Sequence, residues 1–319
     1  MPGQQDLGDS TLDPLRALHH QIGSGNMMGK IILVTGASSG LGALVARALA
    51  EAGHTVYAAI SRDADRKHAA EMEDYARKHS LSLRAVGLEV NDQRSVDAAV
   101  AEISDEAGRI DVVIHTQGRM ALGPAEAFTP YQLSQLYDEN VLATQRVNRA
   151  VLPEMRERRD GLLVWVGSAV PDGAMPYLAT FFGARAAAHH LASSYAVELA
   201  RFGIETSIVT AGAQVIGHAS LIYPDDAETT AAYEDLRPGL LSQAGSTLRR
   251  LTPAATSAAR AVVTLVDTPK GSRPFSVTAK PPRSRPEAAR TATAPPSHNS
   301  RDFYRYLGFD DPLSPGDEE

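Results

Sequence analysis

Cysteine is absent from this 319-residue chain. That excludes a disulfide-stapled scaffold, thiolate zinc sites and a thiol nucleophile. Long apolar runs are absent too. None reaches the ~18 residues that a membrane-spanning helix needs, so no membrane association is expected. Positive charge is in deficit, with 31 Lys plus Arg against 38 Asp plus Glu, and the net charge of −7 argues against nucleic acid as a partner. Near the amino end, Asp6, Asp9 and Asp13 stand where a secretory signal would carry basic and apolar residues, and a cytoplasmic location is expected. Metal-ligand spacing is also missing. His189 and His190 are neighbours on a helical stretch and point apart, and no facing carboxylate set accompanies them, so no metal site is expected. Aromatic residues make up only 6% of the chain, with Trp165 the single tryptophan, yet the 43% of apolar residues suffice for a sizeable core.

What is present is an alternation of strand-like and helix-like segments. Lys30–Thr35 is a short, continuous apolar run of the kind that is buried on both faces of a parallel sheet. Leu41–Ala52 has helical spacing, with Gly53 as its stop. The rhythm continues through strands at Thr55–Ile60, Leu81–Leu88, Ile110–His115, Gly161–Gly167 and Gly203–Thr210. Helices are expected at Asp65–His79, Asp92–Ala107, Pro130–Arg158, Tyr177–Arg201 and Pro253–Asp267, with Pro153 disturbing the third of these. Repeated strand–helix units with short loops predict an α/β fold, a doubly wound parallel sheet of Rossmann-like type in a single domain over residues 29–280. Residues 1–28 read as a flexible extension. Residues 211–252 break the rhythm and read as a substrate-loop insertion after strand six, in which Leu221-Ile222-Tyr223 either lines an apolar pocket or packs on itself. Residues 281–319 hold seven prolines and read as a disordered tail.

Thr35-Gly36-Ala37-Ser38-Ser39-Gly40-Leu41-Gly42 lies between the first strand and the first helix. Glycines there let the backbone turn tightly and approach a pyrophosphate, and the helix N-terminus offers unpaired N–H groups to it. At the end of strand two, an NAD site usually carries an acidic residue for the ribose 2′-hydroxyl. This chain has Ser61-Arg62-Asp63. Arg62 suits a 2′-phosphate, so NADP(H) is favoured over NAD(H). An exposed Arg62–Asp63 pair is the alternative.

The turn has companions: Glu89-Val90 after strand three, Asn140 in the helix after strand four, and Ser168 at the end of strand five. Together they resemble the short-chain dehydrogenase/reductase family over residues 29–268. The resemblance implies a homodimer or homotetramer that moves hydride between a nicotinamide and a small-molecule carbonyl or alcohol. It further implies that Gly36, Ser38, Ser39, Gly40, Leu41 and Gly42 hold the pyrophosphate, with Glu89 and Val90 near the adenine and Thr116 and Gly118 in the loop after strand four. Asn140 would support the active-site helix, and Ser168 would orient the substrate oxygen.

The family's Tyr-x-x-x-Lys should follow 13 residues after Ser168. Phe181 stands at the Tyr position and Arg185 at the Lys position. The Asn-Asn-Ala-Gly motif is altered to His115-Thr116-Gln117-Gly118. Phenylalanine has no proton to give, and general acid–base help is typically worth ~10²–10⁴ in rate. Arg185 stays charged and presents a wider, planar head, which grips the cofactor ribose or blocks it. The expectation is therefore a protein that binds NADP(H) but has lost or strongly reduced its standard hydride-transfer chemistry, a pseudoenzyme candidate. The alternative is a working reductase using Ser168, Asn140 and a substitute acid. Tyr177 ranks first for that role, because it shares a helix face with Phe181 if the helix already begins there. His115 and His189 are further candidates, with packing as their other reading.

Overall fold

The computed structural model describes residues 29–38, 40–61, 66–168, 176–211, 221–236, 239 and 253–279. The expected flexible extension, most of the expected substrate loop and the Pro-rich tail lie outside these residues.

Seven strands form one parallel sheet. They are β1 (Ile31–Thr35), β2 (Thr55–Ile60), β3 (Leu83–Gly87), β4 (Val112–His115), β5 (Gly161–Ser168), β6 (Ile204–Ala211) and β7 (Ser276–Ala279), in the order β3-β2-β1-β4-β5-β6-β7. The chain leaves β1 toward β2 and returns on the other side at β4, so the carboxyl ends of β1 and β4 flank a topological switch point. Register brings Thr35 beside His115 and His115 beside Trp165, so β5 runs three residues past the ends of β1 and β4 to Ser168, which lies beside Ala211.

Helices cover both faces, as the apolar runs of the strands require. The helices α1 (Gly40–Glu51), α2 (Arg66–His79) and α8 (Pro253–Asp267) bury Val45, Leu49, Met72 and Val262 against Ile32, Val34 and Val164. On the other face α3 (Gln93–Ala107), α5 (Ala143–Arg158) and α6 (Ala179–Ala200) bury Ile103, Val151 and Leu199 against Leu33, Val113 and Trp165. Sequence signals set several of the ends. Asp92 caps α3 by accepting from the Arg94 N–H, and Gly108 closes it at φ +83°. Thr129 and Gln132 form a reciprocal capping box on α4 (Pro130–Tyr137).

Three expectations need correction. The long helix expected over Pro130–Arg158 is interrupted at a π-helical turn, Asp138–Leu142, and not at Pro153. Pro153 sits inside α5, where the carbonyl it leaves unpaired belongs to exposed Arg149 and can turn to water. At the π turn, the Asn140 side chain donates to the Leu136 carbonyl at 2.9 Å, the acceptor that an α-helix would offer to the Asn140 backbone N–H. The helix expected from Tyr177 begins at Ala179, and Tyr177 has φ +63°. Lastly, β7 has no counterpart among the expected strands. It is a four-residue edge strand, largely exposed, and too short and mixed for a period-2 signal.

Candidate functional site

The β1–α1 turn is built by two glycines in the left-handed region, Gly36 at φ +68° and Gly40 at φ +57°. Gly42 is required by close approach. A Cβ there would lie 2.7 Å from the Gly36 carbonyl carbon, and closer still to the Gly36 oxygen and the Thr116 hydroxyl. The turn is clamped from β4. The Thr116 Oγ1 donates to the Thr35 carbonyl at 2.6 Å, and the Thr35 Oγ1 donates to the Ile114 carbonyl at 3.2 Å and to the Gln117 side-chain oxygen. These contacts fix the turn at the N-terminus of α1, a helix end whose first N–H groups have no acceptor within the helix. Ser38 and Leu41 are half-buried in this turn, and Leu41 packs on the core beneath it. Ser39 and Arg62, the residue that carried the cofactor preference, lie outside the described residues.

Glu89 follows β3 and accepts from the Ser61 hydroxyl at 2.6 Å, which ties the ends of β2 and β3 together. The carbonyl of the adjacent Val90 accepts from Arg146 at 3.4 Å. Gly118, at φ +140°, passes so close to Asn140 that a Cβ would fall 3.3 Å from the Asn140 Cγ. Asn140 is 1% exposed and donates to the carbonyls of Leu136 and Arg119, at 2.9 and 3.1 Å, while its Oδ1 has no partner among the described residues. The structure thus brings the turn, the Thr116–Gly118 loop and Asn140 together.

A second group forms where β5 meets α6. Ser168 ends β5 and is buried. Phe181 lies in an apolar cluster with Phe182, whose ring centroid is 5.1 Å away, and with Met120, Leu136 and Leu178. Arg185 is buried against the backbone of Gly167, and burial lowers its guanidinium pKa to about 10. Tyr177 is not on the helix face of Phe181. Its ring meets Tyr233 of α7 (Ala227–Leu236) edge-on at 6.4 Å, and its carbonyl accepts from the Gly123 N–H at 2.8 Å.

The histidines fall to packing. His115 is 2% exposed, sits 4.9 Å from the Trp165 ring and meets the Asn148 Oδ1 through Nε2 at 2.8 Å. Burial lowers its pKa to about 4. His189 is lowered to about 4 by burial first and by the charge of Arg185 second. Both rings are neutral at pH 7 and supply no acid. In the insertion, Leu221 and Ile222 pack on the Phe181 cluster, and Ile222 exchanges backbone hydrogen bonds with Met120 and Leu122 at 2.8 and 2.9 Å.

Sequence reasoning quoted Thr35, Ser61 and Gln117 within its motifs without giving them a role, and it missed Gly167 as the residue that makes room for Arg185. The hydrogen-bonded pairs join residues 28 to 82 positions apart, and no local signal names such partners. No helix among the described residues is long and apolar enough to cross a membrane.

Comparison with known proteins places this geometry. The family described as short chain dehydrogenase matches residues 30–218. The oxidoreductase UcpA of Salmonella typhimurium is 34% identical over 212 residues, covering 64% of this chain and 78% of that protein. The chain spans between 54% and 78% of the length of such curated relatives. A short-chain dehydrogenase structure from Streptomyces avermitilis superposes with a TM-score of 0.65 at 28% identity, covering 78% of this chain and 88% of that one. A metagenomic short-chain oxidoreductase in complex with NADP shares the fold, with a TM-score of 0.61 at 19% identity over 81% of this chain and 99% of that one.

Proposed function

The chain belongs to the short chain dehydrogenase family, and from that premise we propose that it binds NADP(H) at the β1–α1 turn and performs standard carbonyl–alcohol chemistry weakly or not at all. The fit of the cofactor rests on the cradle. Gly36 and Gly42 leave room that a Cβ would fill, and Thr116 fixes the carbonyl ends around it. Gly36, Ser38, Ser39, Gly40, Leu41 and Gly42 would hold the pyrophosphate, with Glu89, Val90, Thr116 and Gly118 toward the adenine and ribose. When bound, the nicotinamide would supply or accept a hydride. NADP(H) is favoured over NAD(H) because Arg62, and no carboxylate, directly follows Ser61 after β2. The NADP complex of a protein with this fold agrees with that choice.

The observation that carries the loss of activity is Phe181. It stands where the family resemblance requires a Tyr acid, and its ring is packed among Phe182, Leu178 and Met120. Nothing on that side chain can give a proton to a developing alkoxide. Ser168 would still donate a hydrogen bond to a substrate oxygen, and Asn140 would still brace α6 from the π turn. Arg185, at the Lys position, has no tyrosine pKa to lower.

A second reading, an active NADP(H)-dependent reductase with a substitute acid, has one observation in its favour. Tyr177 packs against the same cluster as Phe181. Tyr177→Phe then abolishes turnover, and unchanged turnover removes this reading. Assembly as a homo-oligomer is supported by the exposed Tyr131, Leu142 and Val197, at 69%, 47% and 79% exposure. Sedimentation of the full chain tests it.

The deciding experiment is a fluorescence titration with NADPH and NADH, following energy transfer from Trp165. Saturable binding that prefers NADPH, with no sustained NADPH oxidation on ketone and aldehyde panels, is the expected result. Sustained oxidation overturns the loss of activity, and failure to bind either cofactor overturns the whole reading.

A further inference from the structure

Arg185 retains 6% exposure, and two of its donors, Nε and Nη2, are sealed from solvent and meet no acceptor among the described residues. These two N–H groups share one edge of the planar guanidinium and point in parallel. That is the edge that takes both oxygens of one carboxylate or phosphate. A buried guanidinium in that state bears its desolvation cost uncompensated. His189, one helical turn on, offers no counter-charge, since an imidazole is neutral or positive, and its Nε2 has no partner among the described residues. Room for the head comes from Gly167, where a Cβ would fall 2.7 Å from the Arg185 Cζ and closer still to Nη2. Gly167 directly precedes Ser168 at the end of β5, and Phe181 precedes Arg185 by one turn on the same helix face. A buried cation with one unpaired bidentate edge therefore stands one helical turn from Phe181.

We propose that Arg185 is the receptor for a carboxylate carried on an apolar body, so that the small molecule this chain takes is an organic acid and not a neutral ketone or alcohol. The proposal rests on the reading that the end of β5 and α6 flank the ligand site. A cofactor phosphate offers Arg185 the same chemistry, and the experiment separates the two sources.

The test uses the full chain at constant ionic strength, with and without saturating NADPH. The probes are benzoate, its uncharged isostere benzamide, and inorganic phosphate, read by Trp165 fluorescence and by thermal shift. Benzoate should bind saturably, alongside NADPH, and at least about tenfold more tightly than benzamide, the ratio a charged hydrogen-bonded pair commands. Arg185→Met should erase that preference while leaving the unliganded protein as stable as the parent or more so, because an unpaired buried charge is removed. Arg185→Lys should keep only part of the preference, since the fork is lost. Should Arg185→Met fail to fold, Gly167→Ala, which displaces the guanidinium and keeps the charge, serves the same comparison. Equal binding of benzoate and benzamide overturns the proposal, as does undiminished benzoate binding by Arg185→Met. Phosphate matching benzoate, with NADPH displacing both, also overturns it and assigns Arg185 to the cofactor. Benzoate discrimination without NADPH binding would remove the cofactor reading and leave this one standing.

Discussion

Replacing glycine by alanine at two helical positions, Gly42 in α1 and Gly183 in α6, is expected to move stability in opposite directions. In a helix alanine is favoured over glycine by up to ~1 kcal/mol. At Gly183, an exposed position, the new methyl would meet only the Tyr137 hydroxyl, at 3.6 Å, an ordinary contact. The propensity gain survives there, so Gly183→Ala should add about 0.5–1 kcal/mol, roughly 1–4 °C in Tm. At Gly42 the obstacle is backbone, because the Cβ would press into the Gly36 peptide, 2.7 Å from its carbon, with the Thr116 hydroxyl on its other side. Overpacking of this kind costs ~1–3 kcal/mol. It outweighs a propensity gain already small at the third residue of a helix. Relief can come only by opening the turn, so Gly42→Ala should also weaken NADPH binding, while Gly183→Ala leaves it unchanged. Thermal unfolding and the Trp165 titration on both variants provide the readout. A Gly42→Ala protein as stable as the parent, with NADPH affinity intact, would show that the turn is not packed as described and would refute the cradle.

Phe181→Tyr combined with Arg185→Lys should raise NADPH-dependent carbonyl reduction by ~10²-fold or more, the contribution expected of a restored acid; a variant that binds NADPH and stays inert would locate the defect elsewhere, first in the His115–Gly118 loop. Asn140→Ala removes two buried donors, to Leu136 and Arg119, and should cost ~1–3 kcal/mol in urea unfolding; a loss below half that would mean the π turn does not depend on the side chain. Burial lowers the His115 pKa to about 4, from 6.5 for a free imidazole, so between these values only the unfolded chain takes up the proton. Its contribution to stability is complete above pH 6.5 and is lost as pH falls toward 4, by about 3 kcal/mol at most. His189 acts in the same sense, and His115→Asn should flatten the slope of stability against pH by up to one proton, with an unchanged slope counting against a buried neutral ring.

The strand–helix alternation was legible because each element carries its own period and its own stops. Continuous apolar runs such as Ile31–Thr35, the helical spacing of α1 and the glycine-bearing turn between them are local signals, and they were enough to reach a doubly wound parallel sheet. The family resemblance likewise rests on short motifs spaced along one chain. Residues whose role depends on a distant neighbour were not legible. Nothing near Tyr177 announces that α6 begins two residues later, so its place on the helix face of Phe181 was an extrapolation that backbone geometry undid. Pro153 looked like the break in a long helix, yet its unpaired carbonyl belongs to an exposed residue, whereas Asn140 competes directly for the Leu136 carbonyl and opens the π turn. His115 stood as a candidate acid, but it pairs with Trp165 across β4 and β5, and strand alternation turns both into the core.

The sequence by itself determined the order of strands and helices, the glycine-bearing turn between β1 and α1 and the family resemblance, because these are carried by contiguous or regularly spaced residues. Only the tertiary structure decided that Gly167 makes room for Arg185, that one bidentate edge of the guanidinium meets no partner among the described residues, and that burial lowers the pKa of His115 and His189. Burial and hydrogen-bond satisfaction depend on what the fold brings within a few ångströms, and no spacing along the chain encodes that.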